Sequence, residues 1–210
     1  MHQAQFPPPD EDGEAPPAGF SGLVRYDTPM APRRVDYYLC GEILGPHLYT
    51  DLFFTLRSAN PDDAIFLHLN TQGGDFDCGL QIVNNMLASP ARVVTVLEAR
   101  AYSMGALIFL AGDELVVHDN CQLMFHTYSG SFAGKGHEQQ AQAQALASWF
   151  EKVLTRLCSP FLSAAEIGRV LKGSDLWMDS DEIRRRLGRI SRAAQQGQPS
   201  PRKRAADEHD

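Results

Sequence analysis

A serine, a histidine and an aspartate from three separate segments are the residues of this chain whose types could carry out nucleophilic acyl transfer. Ser103 opens the small and apolar part of "ARAYSMGALIFLAG", directly after a β-prone stretch. That puts it at the expected N-terminus of a buried helix, where free backbone N–H groups and the positive end of the helix dipole favour an alkoxide or oxyanion. Gly105 and Ala106 leave the surroundings open to a substrate backbone. The commoner role for a serine at such a point is an N-cap. Gly73 and Gly74, in "NTQGGDFD", close another apolar strand ahead of another helix. Alone they read as turn glycines; paired with Ser103 they become a second source of N–H donors for an oxyanion hole.

The base and its partner are less sharply marked. Of the seven histidines, His2 and His209 fall in polar ends and His68 lies inside an expected core strand. Periodicity does not choose among His47, His118, His126 and His137, although His126 closes the strand "QLMFH", where an imidazole can reach a neighbouring strand's end. Asp175, in "KGSDLWMDSDE", follows a helix and precedes a short apolar triplet. Asp179 and Asp181 compete with it and have good cap positions for the helix "SDEIRRRL". A Ser–His–Asp triad can thus be assembled in principle, and residue types alone go no further.

These residues need a frame to bring them together. "VDYYLCG" and "AIFLHLN" are short β-prone runs, with "HLYTDLFFTLRSA" of helical length between them, which gives a strand, helix, strand unit. "CGLQIVNNMLAS" predicts an amphipathic helix that stops before Pro90, and "RVVTVLEA" a third strand buried on both faces. Two short strands follow, "ELVVH" and "QLMFH", then an Ala/Gln-rich helix from about residue 136 to 157. Ser163 and Glu166 form a capping box that starts one more helix. The alternation predicts an α/β fold with right-handed crossovers and a mainly parallel sheet, in which ligand sites sit where strands end and helices begin.

The chain has 210 residues, 43% hydrophobic and 21% charged, with a formal net charge of −7. This suits one globular unit with tails, and the sign argues against nucleic acid as a partner. Residues 1–34 are rich in proline and acidic side chains and are expected to be largely disordered; residues 191–210 read as a polar tail, "PRKR" included. Cys40, Cys78, Cys121 and Cys158 have no zinc-like spacing and are expected as buried, reduced thiols. No apolar run approaches the roughly 20 residues of a membrane span and no signal-like start is seen, so a soluble, cytoplasmic protein is expected.

Taken in order, "VDYYLCGEI", "AIFLHLNTQGGDFDCGLQIVNNM", "EARAYSMGALIFLAG", "QLMFHTYSG" and "SDLWMDS" resemble the proteolytic subunit of the Clp protease, a serine peptidase of the ClpP/crotonase fold. The resemblance covers about residues 35–190, the expected peptidase domain. It implies that Ser103 is the nucleophile, His126 the general base and Asp175 the residue that orients the imidazole, with the backbone N–H groups of Gly74 and Met104 as the oxyanion hole. The intervals between these positions match the family pattern with almost no gaps. It further implies hydrolysis of unfolded proteins or short peptides, no metal or other cofactor bound by this chain, and ATP used only by a partner Clp-type unfoldase. A homo-oligomer, heptameric as a ring or double ring, is implied too, with the Ala/Gln-rich helix protruding to join rings. Three departures stand out, two of them near the site: the family's proline in the glycine turn is Gln72, and its "HQP" is "HTY". The axial-loop sequence of the family is replaced by "FSGLVRYDTPMAPRR". Other readings are a non-catalytic or accessory subunit of a mixed Clp-type ring, a viral head-maturation peptidase, or the acyl-CoA branch of the same fold.

Overall fold

The structure, a computed structural model, describes residues 23–28 and 32–195. The expectations for residues 1–22, 29–31 and 196–210 lie outside the described residues. Within the leader, Leu23–Thr28 form a strand, β1, antiparallel to β2 (Arg34–Ile43). The expectation of loosely held chain therefore does not extend to these six residues.

The crossovers expected from the alternating pattern are present. A short 3-10 turn at Pro46–Tyr49 leads into α1 (Thr50–Ser58), which connects β2 to β3 (Ala64–Gly74), and α2 (Phe76–Leu87) connects β3 to β4 (Arg92–Tyr102). Both strand pairs are parallel. α2 starts two residues earlier than its apolar spacing suggests because Asp75 caps it, its carboxylate accepting from the Cys78 N–H at 2.7 Å. Then come α3 (Met104–Leu110), β5 (Glu114–Val117) and β6 (Gln122–Phe125). The described residues finish with α4 (Gly136–Cys158), α5 (Ala164–Leu171), β7 (Leu176–Asp179) and α6 (Ser180–Gln195).

Among the described residues the strands make one sheet in the order β1-β2-β3-β4-β6-β7, with β5 beside β4. Strand alternation sorts its side chains. Val35, Tyr37 and Leu39 of β2 and Ile65, Leu67 and Leu69 of β3 point into the core, against Leu52 and Leu56 of α1 and Ile82, Val83 and Met86 of α2. Each such side chain contributes about 1.5–3 kcal/mol on full burial. Val93–Leu97 of β4 are buried on both faces, as their β-branched run predicts. The capping box at the start of α5 is formed, with the Glu166 N–H donating to Ser163 Oγ and the Ser163 N–H to Glu166 Oε2. Asp179, not Asp181, caps α6 through the Glu182 N–H. α6 runs five residues past 190, fastened by Ile183, Leu187 and Ile190 on one helical stripe.

α4 differs from the other helices. Of its 23 residues only Phe150, Leu154 and Cys158 are buried. Residues 136–149 stand in solvent apart from partial cover at Ala143 and Leu146. Its N-terminal two thirds protrude from the domain.

Candidate active site

Two slips in strand register build the site. Along β3 and β4 the pairing runs in step to Leu69↔Leu97, then jumps to Thr71↔Ala101, so β4 gains two residues on its neighbour. Extended by two positions, the new register sets Gly73 beside Ser103. A β-carbon on Gly73 would lie 2.7 Å from Ser103 Cβ and 2.7 Å from the Tyr102 carbonyl oxygen, so only glycine fits. Between β2 and β3 the register shifts after Gly41↔Thr71 to Glu42↔Gly73, which leaves Gln72 bulged out. Bulges of this kind re-aim the chain beside functional sites. Gly73 and Gly74 have φ of 93° and 148°, and Gly74 presses on the Ile43 backbone, where a side chain has no room.

Ser103 is the single residue between β4 and α3. Its φ of 55° and ψ of −123° make it the one non-glycine residue with positive φ among the described residues. Such backbone costs on the order of 1–3 kcal/mol and collects at functional sites. The Ser103 N–H donates to the Met124 carbonyl at 2.8 Å, which fixes the junction against β6. The N-cap role is not taken: the Ser103 side chain makes no capping hydrogen bond. Its hydroxyl is left for other partners. The Met104 N–H, first in α3, has no intrahelical acceptor and stands beside the glycine turn.

His126 follows β6 directly. Ser103, Met104, Gly74 and His126 line one cavity together with Thr127, Tyr128 and Ser129. The rest of the wall is apolar, from Phe76, Leu107, Phe125, Phe150 and Leu154. Tyr128 packs edge-on to Phe150 at 5.2 Å and Phe76 lies 5.6 Å from Phe150, so α2, the β6–α4 connection and α4 share one aromatic cluster. Sequence reasoning did not pick out this cluster. Phe150 and Leu154, one helical turn apart on α4, were the available signal.

The other three open histidines lie elsewhere: His47 in the exposed 3-10 turn, His118 beside Glu98 at 3.5 Å, and His137 at the exposed start of α4. His68 sits on the sheet face opposite Leu67 and Leu69. Its two ring nitrogens contact Asp36 at 3.0 Å and Glu98 at 2.6 Å, and Tyr38 stacks on it at 4.3 Å. Burial pushes the Asp36 carboxyl up, but hydrogen bonds from Arg34 and His68 outweigh it and hold the group below its ordinary value.

Asp175 stands apart from the cavity wall. The antiparallel ladder of β6 and β7 ends at Phe125↔Leu176, so His126 and Asp175 are the next facing pair. Asp175 is exposed, and no hydrogen bond or ion pair joins it to His126 among the described residues. Nor does a hydrogen bond join Ser103 Oγ to the imidazole. Catalytic contacts in unliganded sites are often long and tighten with substrate.

The cysteines divide three to one. Cys78, Cys121 and Cys158 are buried, whereas Cys40 is exposed because it falls on the outer face of β2, which corrects the expectation of four buried thiols. Burial raises the pKa of every one of them, Cys78 to about 11 with help from the Asp75 carboxylate, so none is a ready thiolate at neutral pH. Among the described residues no three His, Cys, Asp or Glu side chains group so as to hold a metal ion, and no helix is long and apolar enough to cross a membrane.

A mostly parallel sheet with βαβ crossovers, carrying its cavity at the strand ends beside α3, defines an α/β domain of the ClpP/crotonase type. The family described as Clp protease matches residues 45–186, more than half of the chain. The chain belongs to that family, and this domain is a ClpP-like peptidase domain.

Proposed function

We propose that the chain is a serine endopeptidase acting on unfolded proteins or short peptides. His126 accepts the Ser103 proton as Ser103 Oγ attacks the scissile carbonyl, and the Gly74 and Met104 N–H groups receive the developing oxyanion. His126 then protonates the leaving amine, and water cleaves the acyl-enzyme by the same route. Asp175 orients the imidazole once brought against it. In this reading the chain binds no cofactor of its own, and ATP is used by a Clp-type unfoldase partner. A homo-oligomeric ring or double ring, joined through the protruding part of α4, encloses the sites.

The observation that carries this reading is the uncapped Ser103 hydroxyl, held in strained backbone against Gly73 and facing the cavity that His126 lines. A fluorophosphonate probe tests it. Labelling is expected at Ser103, with both labelling and peptide cleavage lost in Ser103→Ala; a wild-type chain that takes no label and cleaves nothing at neutral pH rejects the reading.

A second reading, an accessory subunit that completes a mixed ring, is favoured by one observation: no hydrogen bond or ion pair joins Asp175 to His126 in the single chain. Native mass spectrometry separates the two. An active homo-oligomer supports the first reading, and a monomer that assembles only with another subunit supports the second.

A further inference from the structure

Thr71 is fully buried, yet it is polar and belongs to neither the cavity wall nor the hydrophobic core. Its hydroxyl donates to the Gly41 carbonyl at 2.5 Å and accepts from the Gly73 N–H at 3.0 Å. A hydroxyl has one proton to give, so committing it to Gly41 turns a lone pair toward Gly73 and fixes both directions at once. Its methyl group faces α3: a β-carbon on Gly105 would lie 2.5 Å from Thr71 Cγ2. One side chain therefore touches the end of β2, the glycine turn and the first turn of α3. It sits where both register slips occur, since Thr71 is the first pair after the jump on the β4 side and the last before the shift on the β2 side. The register is interrupted at both points, and the Thr71 hydroxyl spans the one on the β2 side through its bonds to Gly41 and Gly73.

We propose that Thr71 is the positioning residue that holds the glycine turn and α3 in mutual register, and so sets the spacing between the Gly74 and Met104 N–H groups across Ser103. This rests on the peptidase reading above. Its chemistry is indirect: Thr71 touches no substrate, but oxyanion donors must converge on one oxygen, and a displacement of about 1 Å at such a site costs on the order of 100-fold in rate. Valine in its place keeps the shape and the methyl against Gly105 but strands the Gly41 carbonyl and the Gly73 N–H. Serine keeps both hydrogen bonds and loses only the methyl.

The test uses the full chain with Thr71→Val and Thr71→Ser, read in two ways. The first is the rate of fluorophosphonate labelling of Ser103, with kcat and KM on a fluorogenic peptide amide that has an apolar residue before the scissile bond. Thr71→Val is expected to lower labelling and kcat by about 10- to 100-fold with KM within about 2-fold, and Thr71→Ser to stay within about 3-fold of wild type. The second is amide hydrogen exchange over residues 70–75, expected to speed up in Thr71→Val and not in Thr71→Ser. If Thr71→Val does not fold, Thr71→Cys, with only a weak sulfur donor and acceptor, carries the same expectations. Wild-type labelling and kcat in a folded variant lacking the hydroxyl overturn the inference while leaving the peptidase reading intact; parallel loss of kcat and rise of KM, unrescued by serine, overturns it as well. A wild-type chain that takes no label overturns the peptidase reading itself, and this inference with it.

Discussion

His126 and Asp175 face each other one step beyond the last paired residues of β6 and β7, and no hydrogen bond or ion pair joins their side chains. The backbone ladder thus brings the two positions into register, and on the proposed peptidase mechanism a change of side-chain conformation would bring the carboxylate against the imidazole. Since the exposed Asp175 carboxylate makes no hydrogen bond or ion pair among the described residues, its removal has little to cost the fold. Asp175→Asn is expected to lower peptidase kcat by at least about 100-fold, because the imidazole loses the group that orients it. The melting temperature should stay within about 1 °C, as for a surface substitution without a specific contact. Undiminished turnover in this variant would remove Asp175 from the mechanism.

Ser103 makes the opposite trade. Its backbone suits glycine better than any L-residue, so Ser103→Gly is expected to stabilise the domain by about 1 kcal/mol while abolishing activity. Ser103→Ala keeps the strain and should melt with the wild type. Chemical denaturation of the three proteins checks the order; equal stability of the glycine and alanine variants would mean that the junction is unstrained.

Gly73 admits no side chain for two independent reasons, its φ of 93° and its contact with Ser103 and the Tyr102 carbonyl. Gly73→Ala is expected to cost more than about 1 kcal/mol in stability and to lower Ser103 labelling sharply, because the inserted methyl drives the turn and the junction apart. Labelling kinetics alongside a urea melt would reveal whether the two effects travel together.

Acid should weaken the fold through Glu166 and Asp63. Hydrogen bonds from Arg186 hold Glu166 at a pKa of about 2 against an ordinary value of 4.5, with burial opposing. Arg33 does the same for Asp63, also to about 2. A carboxylate with a depressed folded-state pKa binds its proton more readily when unfolded, so stability rises with pH across that interval. The contribution is complete above about pH 4.5 and is lost as pH falls toward 2. Melting temperatures measured from pH 5 to pH 2 should fall steeply for the wild type and less steeply for Glu166→Gln; identical slopes would show that the Arg186 pair does not couple to folding.

Much of this architecture is legible in the residues. The βαβ units follow from alternating periods, and the capping box at Ser163 and the cap at Asp179 follow from local chemistry. Legibility fails where distant segments decide. The sequence pattern ends β4 near Ala99, whereas the strand continues to Tyr102 because β6 takes over from β5 as its partner at Arg100. The cap reading of Ser103 fails for the same reason, since the glycine turn that forces its backbone lies thirty positions upstream and arrives only through the register jump. β1, in a proline-rich setting, and β7, four residues long, have too little pattern of their own and exist because an edge of the sheet accepts them. His126 is separated from the other histidines by the cavity it shares, a three-dimensional fact that no periodicity contains.

One residue of linkage between β4 and α3 also makes this point of the chain a ruler. An α-helix turns by about 100° per residue, so a single inserted or deleted residue at the junction would rotate every side chain of α3 by that angle and bury what should face the cavity. The connection from Thr127 to Lys135, free of helix or strand, can absorb a change of length that the junction cannot. Length variation among natural homologues is therefore expected to gather between β6 and α4 and to be absent at Ser103, where the count of residues is as constrained as their identity.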